Sequence, residues 1–324
     1  IDFSFMSQDD AIASNPLAFQ HVADHVKPER DVNRRDSIRQ LWWRFGWERP
    51  MVRRAIDGLS RFIATTETAK HRVFQFVDSS ILPDHMIVVI ALGDAFHLGV
   101  LSSRIHVTWA LAAGGTLESR PRYNKTVCFE PFPFPAADET KQARIRAVAE
   151  ELDAHRKRQQ AAHPKLTLTD MYNVLVKLRA GEPLDKKDKT VHEQGLVSVL
   201  RQLHDELDAL VAAAYGWPAD LPDDEILARL VALNAQRAAE EAASVVRWLR
   251  PDYQSPSGLR VTSYASTAAH PTSLHEPAVV YTTGLPWPER LAEQAPAERV
   301  AEVLEMLAGL GQAAMAEDGR FAAA

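Results

Sequence analysis

The run Phe129-Glu130-Pro131-Phe132-Pro133-Phe134-Pro135 limits the fold more than any other part of this 324-residue chain. Each proline removes a backbone donor and drives the residue before it to extended geometry, so no helix passes through. The sequence changes character across this point. Before it lie short β-branched and aromatic runs, Arg61–Thr66, Val73–Val77 and Met86–Ile90, punctuated by turn residues at Asp78-Ser79-Ser80 and Pro83-Asp84. After it the apolar residues recur at helical spacing.

These patterns predict an α+β fold. Residues 57–136 read as a small mixed or antiparallel sheet with one helix over 99–113, whose Val100, Leu101, Ile105, Thr108 and Trp109 face inward and which Gly114-Gly115 ends. Residues 137–250 read as a helical domain: 138–160, a helix capped near Thr169 and Asp170, 189–214 with a leucine stripe, and 223–249 with acids in its first turn. The segment 1–56 reads as a leading stretch of little periodicity followed by mostly helical, basic residues over 33–56, linking to a further domain. Residues 251–284 are Ser/Thr/Pro-rich and read as a linker. Residues 285–324 have the order helix, helix, hairpin, with Asp318-Gly319 as the turn, and read as a small winged-helix-like module. The chain begins at Ile1 rather than Met, as a piece of a longer protein would.

Charge is uneven. The whole chain is −6, yet residues 27–72 carry twelve Lys and Arg, ten of them Arg, against six acids. One basic face on an acidic chain fits a nucleic-acid contact, and it fits equally a pair of Arg-rich helices paired with acidic neighbours. No apolar run reaches the roughly 20 residues of a membrane span, and the single cysteine, Cys128, excludes an internal disulfide and fits a reducing, cytoplasmic setting.

The stretch before the proline run holds the candidate site. In an extended segment alternate side chains share a face, so Glu118, Arg120 and Arg122 project together while Tyr123 and Lys125 face the other way. Arginine grips guanine O6/N7 with two hydrogen bonds, and glutamate accepts from cytosine N4. The same residues also suit a solvated surface hairpin.

Catalytic signatures are incomplete. Asn15-Pro16-Leu17 lacks the second proline and the aromatic residue of an adenine-methylation loop, and there is no Gly-rich cofactor loop or nucleophile elbow. A metal-dependent nuclease would need acids gathered around Glu67 or Asp84. His21 and His25 lack a third ligand.

Several segments together carry a resemblance. Arg61-Phe62-Ile63-Ala64-Thr65, Lys70-His71-Arg72-Val73-Phe74, Ile81-Leu82-Pro83-Asp84, Gly99-Val100-Leu101-Ser102-Ser103-Arg104-Ile105-His106 and Arg122-Tyr123-Asn124-Lys125-Thr126 occur in order before the aromatic–proline run. This series resembles the target recognition domain of the MmeI-like family of bacterial DNA methyltransferases and restriction–modification enzymes. Tyr215-Gly216-Trp217-Pro218 and Leu230–Asn234 resemble that family's C-terminal helical region.

The resemblance implies a double-stranded DNA partner and an upstream methyltransferase domain of the same polypeptide. That domain would use S-adenosylmethionine to methylate adenine N6; the chain itself would hold no cofactor and no metal. It implies base readout by Glu118 and Arg120, just before the Arg-Tyr-Asn element, with Arg122 and Asn124 adjacent. Arg61, Lys70, Arg72, Ser103, Arg104 and Lys125 would hold phosphates, which positions a protein without reading sequence. The Phe129–Pro135 run would be the hinge into the helical region. The competing reading is a non-catalytic helical scaffold with a small β insert.

Overall fold

The computed structural model describes residues 1–117, 120–255, 313–315 and 321–323. Glu118, most of the expected 251–284 linker, and the Asp318-Gly319 turn lie outside the described residues. So does nearly all of the expected winged-helix-like module; two of its segments, β6 (Ala313–Met315) and β7 (Phe321–Ala323), pair antiparallel. The chain divides at Asp57 and Gly58 into two compact units.

The first unit, 1–57, is more helical than its weak periodicity predicts. It holds α1 (Gln8–Ser14), α2 (Pro16–His25), α3 (Lys27–Asp31), α4 (Asp36–Gln40) and α5 (Pro50–Ile56). Caps rather than periodicity start the first two. The Ser7 hydroxyl accepts from Asp10 N–H, and Asn15 accepts from Ala18 N–H ahead of Pro16 at the first helical position. The 33–56 stretch is not one helix: α4 ends at Gln40, and Arg49 takes a left-handed conformation (φ 51°) before Pro50 opens α5. The small core gathers Phe3, Phe19, Val22 and Trp42, with the Phe19 and Trp42 rings 5.2 Å apart. Trp42 is thus a packing residue.

The second unit begins with the three strands that the sequence predicts: β1 (Arg61–Thr66), β2 (Gln75–Asp78) and β3 (Ile87–Ile90). They form an antiparallel sheet in the order β2-β1-β3, with Ile63 opposite both Phe76 and Ile90. Two helices follow where one is expected. The Asp94 carboxylate caps α6 (Ala95–Ser102) at Phe96 N–H. Ser103, extended and fully buried, then breaks the chain before α7 (Arg104–Ala113), its hydroxyl donating to the Val100 carbonyl at 2.7 Å. A two-residue pair, β4 (Thr116–Leu117) with β5 (Arg120–Pro121), comes next.

The helical part comprises α8 (Glu139–Ala162), α9 (Leu168–Ala180), α10 (Lys186–Gly195), α11 (Val197–Tyr215), α12 (Asp223–Ala242) and the short α13 (Pro251–Gln254). The predicted 189–214 helix is interrupted at Leu196, which sits at φ 43°. Gly181 and Gly216, both left-handed, close α9 and α11.

One apolar core joins the sheet, α6, α7 and the later helices. Phe74, Phe76, Leu98, Trp109, Phe132, Phe134, Ile145, Leu152, Leu200 and Leu207 all belong to it. The expected hinge is therefore a packed joint: Phe132 and Phe134 are buried, and the Phe132 ring lies 4.3 Å from that of His106. Polar contacts reinforce the joint. Along β2, an edge strand, Asp153 of α8 accepts from Phe76 N–H at 3.1 Å. Lys157 donates to the Phe76 carbonyl at 2.8 Å, and the buried Arg156 donates to the Phe74 carbonyl at 2.7 Å. These bonds occupy groups that would otherwise invite another strand.

Candidate nucleic-acid interface

The candidate site lies where the chain leaves β1. Residues 67–70 run antiparallel to 120–123. Thr68 faces Arg122 across an isolated bridge, Tyr123 N–H donates to the Glu67 carbonyl at 2.7 Å, and Ala69 N–H donates to the Pro121 carbonyl at 3.3 Å. Extending that register sets Lys70 opposite Arg120. Thr116 pairs with Pro121 on the other side, so three short extended segments lie side by side.

Tyr123 anchors this edge. Its side chain is 1% exposed, its hydroxyl lies 3.0 Å from His106 Nε2, and the Phe74 ring meets it edge-on at 5.3 Å. The alternation expected from the sequence thus holds at its centre, with Arg122 exposed and Tyr123 turned inward. Burial pushes the Tyr123 phenol well above its ordinary pKa and takes His106 down to about 3, with the Arg72 charge adding to the latter. Both groups are neutral at physiological pH.

The predicted site residues separate by surroundings. Arg120 is exposed on β5, and Lys125 is exposed at the head of a single π-turn over Lys125–Phe129; neither has an ion pair among the described residues. Lys70 is exposed and donates to the neutral Asn173 Oδ1 at 2.6 Å, which His71 also contacts at 2.9 Å. Arg122 is exposed and paired with Glu67, whose Oε1 accepts from Nε at 2.7 Å and from Nη2. Asn124 caps the π-turn, its Oδ1 accepting from Thr126 N–H at 3.1 Å and from the Thr126 hydroxyl at 2.8 Å.

Four of the expected phosphate ligands are occupied inside the fold. Arg72 is 8% exposed. Its Nη1 donates to the Thr65 hydroxyl at 3.1 Å and to the Thr66 carbonyl, and its Nη2 donates to the Pro121 carbonyl at 3.1 Å. Burial lowers its pKa from the ordinary arginine value. Ser103 is fully buried between α6 and α7, its hydroxyl donating to the Val100 carbonyl. Arg61 pairs with Glu150 of α8, donates to the Gly93 carbonyl and lies 3.7 Å over the Phe76 ring. Arg104 is held by Asp223, with Nε 3.0 Å from Oδ1. Arg72 and Ser103 are thus buried, while Arg61 and Arg104 are partly exposed and already paired with acidic side chains.

Sequence reasoning missed Glu67. It weighed this residue only as a nuclease ligand; the signal would have been the pairing of 67–70 with 120–123, which spacing alone does not reveal. Among the described residues no three His, Cys, Asp or Glu side chains gather as metal ligands, and no helix is long and apolar enough to cross a membrane.

An exposed arginine and two lysines on an edge fixed by buried aromatic groups can contact a polyanion and present donors to base edges. Comparison with known proteins agrees with this geometry. Residues 11–136 match the family model described as MmeI, target recognition domain. The chain is 29% identical over 150 residues to DNA methyltransferase A of Bacillus subtilis (strain 168), an alignment that takes in 46% of this chain and 14% of that protein. A solved structure of the Type IIL restriction-modification enzyme MmeI in complex with DNA superposes with a TM-score of 0.50 at 18% identity. That match covers 72% of this chain and 28% of the other, and it establishes likeness of fold. The chain therefore spans well under a third of either protein. Residues 11–136 of the 324-residue chain are therefore similar to the MmeI target recognition domain, and the rest of the chain lies outside that match.

Proposed function

We propose that the chain is the DNA-recognition part of a site-specific, S-adenosylmethionine-dependent adenine-N6 methyltransferase of a restriction–modification system. Methyl transfer would take place in an upstream domain of the parent polypeptide, which would also hold the cofactor. The observation that carries this reading is the edge itself: exposed Arg120, without an ion pair among the described residues, on a backbone pinned by buried Tyr123. Glu118 and Arg120 would read base edges, with Arg122 beside them. Lys70 and Lys125 would hold phosphates. Gripping the duplex would present the target adenine for extrusion into the catalytic domain.

Two further features support the reading. The matched Bacillus subtilis protein is named a DNA methyltransferase, and the matched MmeI structure contains DNA. In the first unit Leu17, Val32, Trp47 and Met51 are each at least 79% exposed, an apolar set suited to packing on the upstream domain. A cytoplasmic, nucleoid-associated location follows from the proposed substrate.

The test is the methylation pattern of the full-length protein. Replacing Arg120 by alanine is expected to relax one position of the modified sequence, at about 1–3 kcal/mol of lost discrimination. An unchanged modified sequence after Glu118 and Arg120 are both replaced would overturn the assignment.

A further inference from the structure

Arg122 is held in an unusual way for an exposed arginine. A guanidinium carries five N–H bonds. The Glu67 carboxylate takes the Nε–H and one of the two Nη2 hydrogens through the single oxygen Oε1. Both Nη1 hydrogens and the second Nη2 hydrogen have no acceptor among the described residues. They form the far end of the fork, which matches two acceptors on one base edge, the pattern that guanine O6 and N7 present in the major groove. The arginine side chain is 49% exposed and the glutamate 26%, so the guanidinium is the outer member of the pair.

The pair joins two neighbouring segments of the chain. Residues 67–70 and 120–123 lie antiparallel, joined by the Thr68–Arg122 bridge and the Tyr123-to-Glu67 and Ala69-to-Pro121 hydrogen bonds, with Thr116–Leu117 on the far side of Arg120–Pro121. The two segments are tied again by Arg72, which donates to the Thr66 carbonyl beside one and the Pro121 carbonyl on the other.

We propose that the recognition surface takes in residues 67–70 as well as 120–123, and that Glu67 is a positioning residue that sets base specificity by fixing the Arg122 guanidinium with its outer Nη edge toward one guanine. The inference rests on the proposed DNA-recognition function. It extends the reading surface to a strand about fifty residues earlier in the chain.

The test uses the full-length protein, with binding selections from a duplex pool randomised across the site. Glu67→Gln, Glu67→Asp, Arg122→Ala and the Glu67→Gln/Arg122→Ala double variant are compared with wild type. An exposed ion pair contributes little to stability, so the Glu67 variants are expected to melt close to wild type. Arg122→Ala should lose preference for guanine at one position, by about 5- to 150-fold. Glu67→Gln should relax that same position and leave the salt dependence of binding unchanged. The double variant should be no more relaxed than Arg122→Ala alone. Glu67→Asp keeps the charge but withdraws it by one methylene, and should fall between wild type and Glu67→Gln.

A lowered melting temperature with unchanged base preference in both single Glu67 variants would overturn the proposal, because that is the signature of a merely structural pair. Relaxation at a position different from the Arg122 position would overturn it too. If Arg120→Ala and Arg122→Ala change the preference while the Glu67 variants do not, only the role of Glu67 falls. If neither arginine matters, the recognition reading itself falls.

Discussion

The guanidinium of Arg72 donates to the carbonyl of Pro121 at 3.1 Å across the base of the proposed recognition edge. The same group also serves Thr65 and Thr66, so one buried cation ties the end of β1 to the strand that carries Arg120. Arg72→Met would leave those acceptors without a donor. It is expected to destabilise the protein by about 2–4 kcal/mol, since each buried group left unsatisfied costs about 1–3 kcal/mol. Denaturant unfolding measures this. The slope of log affinity against log salt for DNA should stay at the wild-type value; a fall of about one unit would show that Arg72 meets a phosphate after all.

The opposite behaviour is expected at Lys125, which is exposed and without an ion pair among the described residues. Lys125→Ala should weaken binding to all duplexes alike and reduce the salt slope by about 0.9, the value for one phosphate contact. Arg104 is a useful contrast, because Asp223 already neutralises it. Arg104→Ala should cost at most about 1 kcal/mol of stability, as for other exposed pairs, and should leave the salt slope in place. Titrations of the full-length protein with duplex at several salt concentrations separate the two.

The contrast between these residues also shows how far the sequence could be read. The strands Arg61–Thr66, Val73–Val77 and Met86–Ile90 were legible because short β-branched runs ended in turn residues; of the mixed and antiparallel sheets expected, the antiparallel one forms. Alternation set Arg122 and Tyr123 on opposite faces, but Lys125, expected beside Tyr123, is exposed in the π-turn. What sequence spacing does not carry is which charge is neutralised by a residue far away. Arg61 meets Glu150, Arg104 meets Asp223 and Arg72 meets backbone carbonyls, so three expected phosphate ligands have partners within the protein. The helices of the first unit escaped for a different reason: they are five to ten residues long and are defined by caps at Ser7 and Asn15 more than by an apolar stripe. Leu196 and Ser103 broke predicted helices without proline or glycine, through a left-handed turn and an extended residue that the surrounding packing imposes.

Buried histidines make the fold sensitive to acid. His106 is taken down to about 3 by burial and by Arg72, His97 to about 4 by burial, and His204 well below its ordinary value by burial. Each is neutral in the folded protein and titrates near 6.5 once unfolded. The unfolded chain therefore binds more protons as pH falls below about 6.5, and stability is lost downward from there. Asp208 acts in the other direction: burial raises it to about 6, so it binds a proton in the folded state first. The histidines outweigh Asp208, and His155, also buried and lowered by burial, adds to them, so stability is expected to fall as pH drops from about 6 to 4.5. Thermal melts across that range measure it. His106→Asn should flatten the dependence by about one group's share, whatever its effect at neutral pH.

Gly114 gives the most direct link between packing and recognition. It ends α7, and its Cα lies against the strand that carries the site. A Cβ added there would overlap the Arg122 carbonyl oxygen and would lie 2.8 Å from the Ala110 carbonyl oxygen and 2.9 Å from Cys128 Sγ. Two of these three neighbours are backbone, so the clash cannot be relieved by turning a side chain. The movable part is the Arg122 strand, which is held nearby by the Arg122 N–H donating to the Gly115 carbonyl at 3.1 Å. Gly114→Ala is therefore expected to cost about 1–3 kcal/mol, as for other overpacked sites, and to displace the edge from its register. Base preference should change along with stability, although residue 114 itself is buried. Gly181→Ala is the control. That glycine sits at φ 69° with no atom within contact range of an added Cβ, so its alanine variant should cost roughly 1 kcal/mol through backbone strain alone. Binding selections on the two variants should then show a changed preference for Gly114→Ala and the wild-type preference for Gly181→Ala. A wild-type preference in both would mean that the Arg122 strand tolerates displacement without loss of reading.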